Sequence, residues 1–274
     1  IVDRAQVDGN FAMVEQYDDF IYHEADERNI LNSGRDWVGE RFDVNSEREF
    51  SFDIGEIVAN STVKIVSDVM GQSIGASSFD VYWNDALVIN QIIPQIPNTQ
   101  YGVKGIHKRD TVIMNSNDVG ASATSSQTIK YQFKRAASGA STGFLDFFVI
   151  NVKRKLGLRN HQTIFRSVES TSQPFSTFAV SGATPECSIW NITQPYLPQQ
   201  HAYTLDGNVA FFSDATGDLQ EYVVFDSEIP SPELIGNVDN QDLHGLATPD
   251  LLIITHPDFR HEATRLADHR QQDN

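Results

Sequence analysis

Residues 143–156 read GFLDFFVINVKRKL, and the apolar run inside them decides the fold class. From Phe144 to Val152 this run is apolar at every position except Asp146 and Asn151. Successive side chains of a β-strand point to opposite faces, so apolarity at both parities marks a central strand covered on two sides. The neighbouring segments alternate instead. Phe79, Val81 and Trp83 are separated by Asp80 and Tyr82, and Ile129, Tyr131 and Phe133 by Lys130 and Gln132; Phe50 with Phe52 and Val63 with Ile65 repeat the pattern. A period of two with Gly, Ser and Asn between runs predicts half-buried antiparallel strands. Asn84-Asp85 suits a tight hairpin turn. Long connections over 91–109 and 115–127 fit a sandwich better than a closed barrel. Residues 1–157 are therefore expected to form a jelly-roll-like β-sandwich, although 1–32 hold only one plausible strand, around Phe20, Ile21 and Tyr22, and no clear domain start.

Residues 158–230 are expected to form a smaller β-sheet region. Its short runs are Thr163–Arg166, Phe175–Val180, Cys187–Ile192, Val209–Phe212 and Glu221–Phe225, separated by turn residues such as Ser181-Gly182 and Asp206-Gly207-Asn208. Pro230, Pro232 and the polar stretch 236–242 predict a linker. Residues 250–270, DLLIITHPDFRHEATRLADHR, then place four apolar residues, Leu251–Ile254, before a helix start. That run is too short for a helix and suits a doubly buried strand. Thr255 is the expected N-cap, Pro257 sits in the first turn, and Phe259, Ala263, Leu266 and Ala267 recur at helical spacing. One strand and one helix make a truncated α/β unit over 231–274, since a parallel neighbour needs a further strand; that strand is expected beyond Asn274. The fold class is mainly β.

With a formal charge of −17 and a pI near 4.7, the chain is unsuited to nucleic acid or anionic membrane, whose surfaces are also negative. Its single cysteine, Cys187, excludes an intramolecular disulfide. Neither a signal peptide nor a membrane-spanning segment is expected.

Few constellations suggest chemistry. Cys187 and His201 could be imagined as nucleophile and base, but Cys187 precedes Ser188, Ile189 and Trp190 in an expected strand, where cysteine acts as a small buried apolar residue. Asp36 and Glu40 could form a carboxylate pair; a turn in which Trp37 seals the sandwich edge is the simpler reading. The eight histidines show no His-x-x-x-His pair, and no serine elbow or phosphate loop is present. No catalytic residue and no cofactor is therefore expected. Asp214, Asp218 and Glu221, or Asp239 and Asp242, supply the hard oxygen ligands calcium prefers, without the twelve-residue loop order. Lys153, Arg154, Lys155 and Arg159 form the one concentrated basic patch, a candidate contact for an acidic partner or a set of local ion pairs. Trp83, Tyr82 and Tyr101 could present a sugar platform; Trp83 shares a face with Phe79 and Val81, which favours the core.

Four segments carry a resemblance: SGRDWVGERF at 33–42, GFLDFFVINVKRKL at 143–156, IWNITQP at 189–195 and GNVDNQDLHG at 236–245. In this order they resemble the region of gingipain-like cysteine peptidases that leads into the caspase-like peptidase domain, in the branch that serves type IX secretion as signal peptidase and sortase. The resemblance implies a non-catalytic interior piece whose parent cleaves C-terminal sorting domains from cargo, with catalytic Cys and His beyond residue 274. It implies export to the periplasm, outer membrane or cell surface of a Gram-negative bacterium. The implied partners are the downstream peptidase domain, cargo C-terminal domains and outer-membrane secretion proteins. A stand-alone carbohydrate-binding module and a structural spacer are the alternatives.

Overall fold

The Ser77–Trp83 strand lies between Ala86–Ile93 and Ser126–Lys134, and Glu47–Asp53 completes an antiparallel sheet of four. The register opposes Phe79 to Phe133, Val81 to Tyr131 and Trp83 to Ile129. The alternation read from the sequence thus becomes three stacked apolar pairs on one face. A second sheet, in the order Ile106–Asn115, Thr62–Ser73, Ser141–Lys155 and Gln16–Glu24, supplies the opposing layer. Phe42, Ile65, Phe79, Trp83, Tyr131 and Phe148 are fully buried in the common core. Burying each such side chain stabilises the fold by about 1.5–3 kcal/mol. These features are found in a computed structural model that describes residues 2–272, except 5, 6, 8, 31–33, 124, 228–230, 241 and 243.

The long Ser141–Lys155 strand is central, as its composition requires, and it carries a bulge. Leu145 opposes Val69 and Phe147 opposes Asp68, which leaves Asp146 without a counterpart. The extra residue breaks the period of two, so Leu145 and Phe148 both point into the core. Asp146, one of the two polar residues in the apolar run, is thereby moved to the outer face of the sheet.

The second β region is larger than the expected small sheet. It is a sandwich of its own. One sheet runs Val2–Arg4, Gln199–His201, Ser188–Asn191, Tyr222–Phe225, Gln162–Phe165; the other runs Thr204–Asp206, Val209–Ala215, Phe175–Ser181, Ala12–Val14. All five strands read from the sequence are present. Val2–Arg4 and Ala12–Val14 join by parallel pairing with Gln199–His201 and Phe175–Ser181. Val2–Arg4 and Ala12–Val14 therefore belong to the second sandwich, whereas a start for the first sandwich at residue 1 was expected. Tyr17 packs in the second core beside Phe165, Phe178 and Phe212, so the Gln16–Glu24 strand ties the two sandwiches together. Both lie in one compact unit spanning 1–229.

A separate unit spans 230–274. Residues 231–240 are exposed and without regular structure, as a linker would be; Pro230 and Gln241 lie outside the described residues. The expected helix forms over Arg260–Gln272, preceded by a tight turn at Pro257–Phe259. The cap is His256, whose Nδ1 accepts from the Asp258 N–H at 3.3 Å, one residue beyond the expected Thr255. Leu251–Ile254 is not a strand. It pairs with no described segment, and Leu252 and Ile254 are 72% and 90% exposed. A strand needs a neighbour for its N–H and C=O groups, and none is offered here.

Candidate functional site

Three strands of the second sheet of the first sandwich bring Asp68, His107 and Asp146 together on its outer face. Asp68 lies on Thr62–Ser73, directly opposite Arg109 of Ile106–Asn115. His107 is two residues before Arg109 on the same face, and Asp146 arrives from Ser141–Lys155 by way of the bulge. One ligand atom from each of the three lies within 4.8 Å of the others. His107 Nδ1 stands 3.0 Å from Asp68 Oδ1 and 3.7 Å from Asp146 Oδ2. Arg109 Nε donates to the other Asp68 oxygen at 2.7 Å, and its guanidinium lies 4.8 Å over the Phe147 ring.

Burial disfavours the charged form of Asp68, but hydrogen bonds from His107 and Arg109 outweigh it and hold the carboxyl below its usual pKa. Burial and the neighbouring Asp68 charge push Asp146 upward. The Asp68 hydrogen bond raises His107, with Asp146 and Asp36 adding to the same direction. A cavity of about 180 Å³ opens beside the imidazole, lined by Asp36, Val38, Met70, Lys104, Gly105 and His107 among others. Such a group can hold a proton or a cation; it contains no nucleophile.

Sequence reasoning passed over all three residues, which are 39 and 78 positions from Asp68 to His107 and from Asp68 to Asp146. The visible signal was Asp146, one of two polar interruptions in the central strand.

The residues singled out from the sequence fall elsewhere. Trp83 is fully buried, and its Nε1 donates to Gln127 Oε1 at 2.9 Å. It has no face open to a sugar, so the platform reading of Trp83 gives way to the core reading. Tyr82 lies under the Lys130 ammonium, 4.7 Å from the ring centroid, and Tyr101 is 92% exposed on a loop. The basic patch is largely engaged. Lys153 faces Asp18 and Glu169, Arg154 bonds Asp19 at 2.7 Å, and Arg159 bonds Glu56 at 2.6 Å. Lys155 is exposed at the end of its strand.

The calcium grouping does not assemble. Asp214 is wholly buried and bound to Arg4 at 2.7 Å, with Tyr222 and Asn191 donating to the same carboxylate. Glu221 lies near Arg166, and Asp218 is exposed. Cations and donors of the protein already engage the one buried carboxylate of the grouping. Asp239 and Asp242 are exposed and lie outside regular structure.

Cys187 is buried, and its Sγ accepts from the Thr184 N–H at 3.2 Å. His201 Nε2 lies 3.3 Å from Asp214 Oδ2, and the hydrogen-bond partner of the thiol is Thr184. Trp37 is partly exposed on a two-residue strand paired with Arg28–Asn29. Asp36 lines the His107 cavity, while Glu40 Oε1 lies 2.8 Å from His23 Nε2; each carboxylate has its own environment. Ser33, at the head of that segment, lies outside the described residues.

No protein-family model matches the chain, and no curated protein matches it. Solved structures do. Carbohydrate-binding module CBM36 in complex with calcium and xylotriose aligns at a TM-score of 0.29 and 15% identity, over 49% of this chain and 98% of that one. The CBM36-1 domain of a multidomain xylanase from the hindgut metagenome of Trinervitermes trinervoides gives 0.30 and 12%, over 48% and 95%. Dimeric latent PorU from Porphyromonas gingivalis aligns at a TM-score of 0.75 with 20% identity. The alignment covers 98% of this chain and 26% of the PorU chain, so this chain spans about a quarter of that protein and has the fold of that part of PorU.

Proposed function

We propose that this chain is the non-catalytic scaffold and docking region of a gingipain-like cysteine endopeptidase that processes the C-terminal sorting domains of type IX cargo. One observation carries the reading: a single likeness to PorU runs through both sandwiches and on to the helix, over 98% of the chain. Among the described residues the buried thiol of Cys187 is hydrogen-bonded to Thr184 and to no imidazole that could activate it. That supports a positioning role, with the chemistry carried by a peptidase domain of the parent. The same reading puts the parent outside the cytoplasm, at the outer membrane or cell surface. Among the described residues no helix is long and apolar enough to cross a membrane.

Retention experiments test it. The purified chain is immobilised and offered a gingipain-like peptidase domain or a cargo C-terminal sorting domain. Saturable retention of either is expected. Retention of neither overturns docking. Cleavage of a cargo reporter by this chain alone, abolished in Cys187→Ala, overturns the non-catalytic role.

A further inference from the structure

The outer-face cluster carries an assignment independent of the PorU likeness. Asp146 is mostly shielded, its side chain 16% exposed, yet among the described residues no donor reaches it within hydrogen-bond distance. Its nearest cationic group is His107 Nδ1, at 3.7 Å. A β-bulge, a device that re-aims side chains, is what delivers this carboxylate to the outer face. Asp68 is held differently: Arg109 occupies Oδ2, so Oδ1 is left to face the imidazole. Nδ1 of His107 and one oxygen from each aspartate therefore converge on one point.

The charges around that point are Asp68, Asp146 and Asp36 against Arg109, with Glu24 beside Asp146. The Lys104 ammonium, at the rim of the adjoining cavity, is turned to the carbonyls of Thr99 and Gln100. When His107 is neutral, the negative charge is in excess. Bonds of 2.0–2.2 Å from a tetrahedral zinc ion put neighbouring ligand atoms about 3.3 Å apart. The two spacings from Nδ1, 3.0 and 3.7 Å, straddle that value. The fourth position would open toward the cavity, and the His107 side chain is 41% exposed, which leaves an entry path.

We propose that Asp68, His107 and Asp146 form a divalent-cation site of the zinc type, with His107 Nδ1 and one carboxylate oxygen from each aspartate as its ligands. The ion takes the place of the proton that His107 otherwise shares with the two acids. It joins three adjacent strands, Ile106–Asn115, Thr62–Ser73 and Ser141–Lys155, at a single point. Calcium is a poor fit, because it seeks six to eight oxygen ligands. Proton and metal compete for one nitrogen, so binding weakens as the pH falls.

The whole chain, stripped with chelator, is titrated with zinc by calorimetry and with cobalt by visible absorption, at pH 7.5 and pH 5.5. The expected result is one saturable zinc per chain at pH 7.5, a raised unfolding midpoint, and affinity at least about tenfold weaker at pH 5.5. Calcium at the same concentration leaves the midpoint unchanged. Asp146→Asn keeps the shape and the Asp68–Arg109 pair, and it should weaken zinc binding by about tenfold or more. His107→Ala should do the same, with circular dichroism reporting that each variant is folded; should His107→Ala fail to fold, Asp146→Asn decides. Absence of saturable zinc binding overturns the site, as does binding that survives Asp146→Asn unchanged. Either outcome leaves the docking reading standing, since that is measured by retention of protein partners.

Discussion

Arg4 reaches Asp214 at 2.7 Å across the second sandwich, and the carboxylate it meets has no exposure to solvent. The contact joins the Val2–Arg4 strand to Val209–Ala215, 210 residues away. Tyr222 and Asn191 donate to the same acid at 3.0 and 3.2 Å. Removing one partner of a buried ion pair leaves the others unpaired and typically costs about 3–5 kcal/mol. Asp214→Ala should therefore lower the unfolding free energy by that amount, read from a urea titration. Arg4→Ala should cost less, because the Arg4 side chain is 37% exposed and Asp214 keeps its neutral donors. Equal midpoints for wild type and Asp214→Ala would show that the network contributes nothing.

Trp83 and Tyr101 should separate cleanly in a stability measurement. Trp83 fills the core of the first sandwich and holds Gln127, which also accepts from Asn84 at 2.8 Å. Trp83→Ala should cost about 3–5 kcal/mol. Tyr101→Ala, at a loop position open to water, should stay within about 0.5 kcal/mol of wild type. A glycan screen is therefore informative with Tyr101→Ala and compromised by unfolding with Trp83→Ala. Thermal melts of the two variants check this.

Asn84 and Asp85 both adopt the left-handed conformation, with φ of 45° and 68°, as a two-residue hairpin turn requires. Asn84 also donates to Val119 O and accepts from the Thr128 N–H at 2.8 Å. Asn84→Ala loses these partners and puts a residue that disfavours positive φ at the turn, a combined cost of roughly 2–4 kcal/mol. Asp85→Gly keeps every Asn84 bond and relaxes the backbone, so it should be neutral or stabilising by up to about 1 kcal/mol. Chemical denaturation of both variants decides, and an Asn84→Ala midpoint equal to wild type removes the turn from the stability argument.

These effects follow from patterns of different legibility. The Phe79–Trp83 and Ile129–Phe133 alternations, and the Asn84-Asp85 turn, were readable because period and turn chemistry are local. Val2–Arg4 and Ala12–Val14 were not, since three residues carry no period and their partners lie more than 160 positions away. The Leu251–Ile254 run shows the opposite error. Its apolarity suggests a burial that Leu252 and Ile254 do not find among the described residues. Asp68, His107 and Asp146 are brought together by strand register and a bulge, neither of which a single sequence displays. Asp146 alone left a trace, as a charge inside an apolar strand.

Acid should expose a different linkage, through Asp80. Burial opposes its charge, but Lys134, Asn90 and Tyr82 more than compensate, so its folded pKa lies below the ordinary value. Asn90 Nδ2 donates to it at 2.5 Å. For a depressed carboxyl, stability is fully present above the unfolded pKa, about 3.9. It is lost as the pH falls through the folded value. Wild type should therefore lose stability below about pH 4 faster than Asp80→Asn, which has no proton to take up. Parallel pH profiles for the two proteins would show that Asp80 is not part of the acid response.

Leu252 and Ile254 supply the last test, because their apolarity has no use within the described structure. Both are largely exposed, so Leu252→Asp and Ile254→Asp should leave the unfolding free energy of the chain within about 0.5 kcal/mol of wild type. The same variants should behave differently in the retention experiment with a peptidase domain. An extended apolar segment with free backbone groups can add as a strand to the edge of a partner sheet, and a carboxylate there would be buried without a partner. Weakened retention with unchanged stability is the expected pair of results. A midpoint that drops with either substitution would mean that the segment is already packed in the free chain, and that its exposure is not what makes it available for docking.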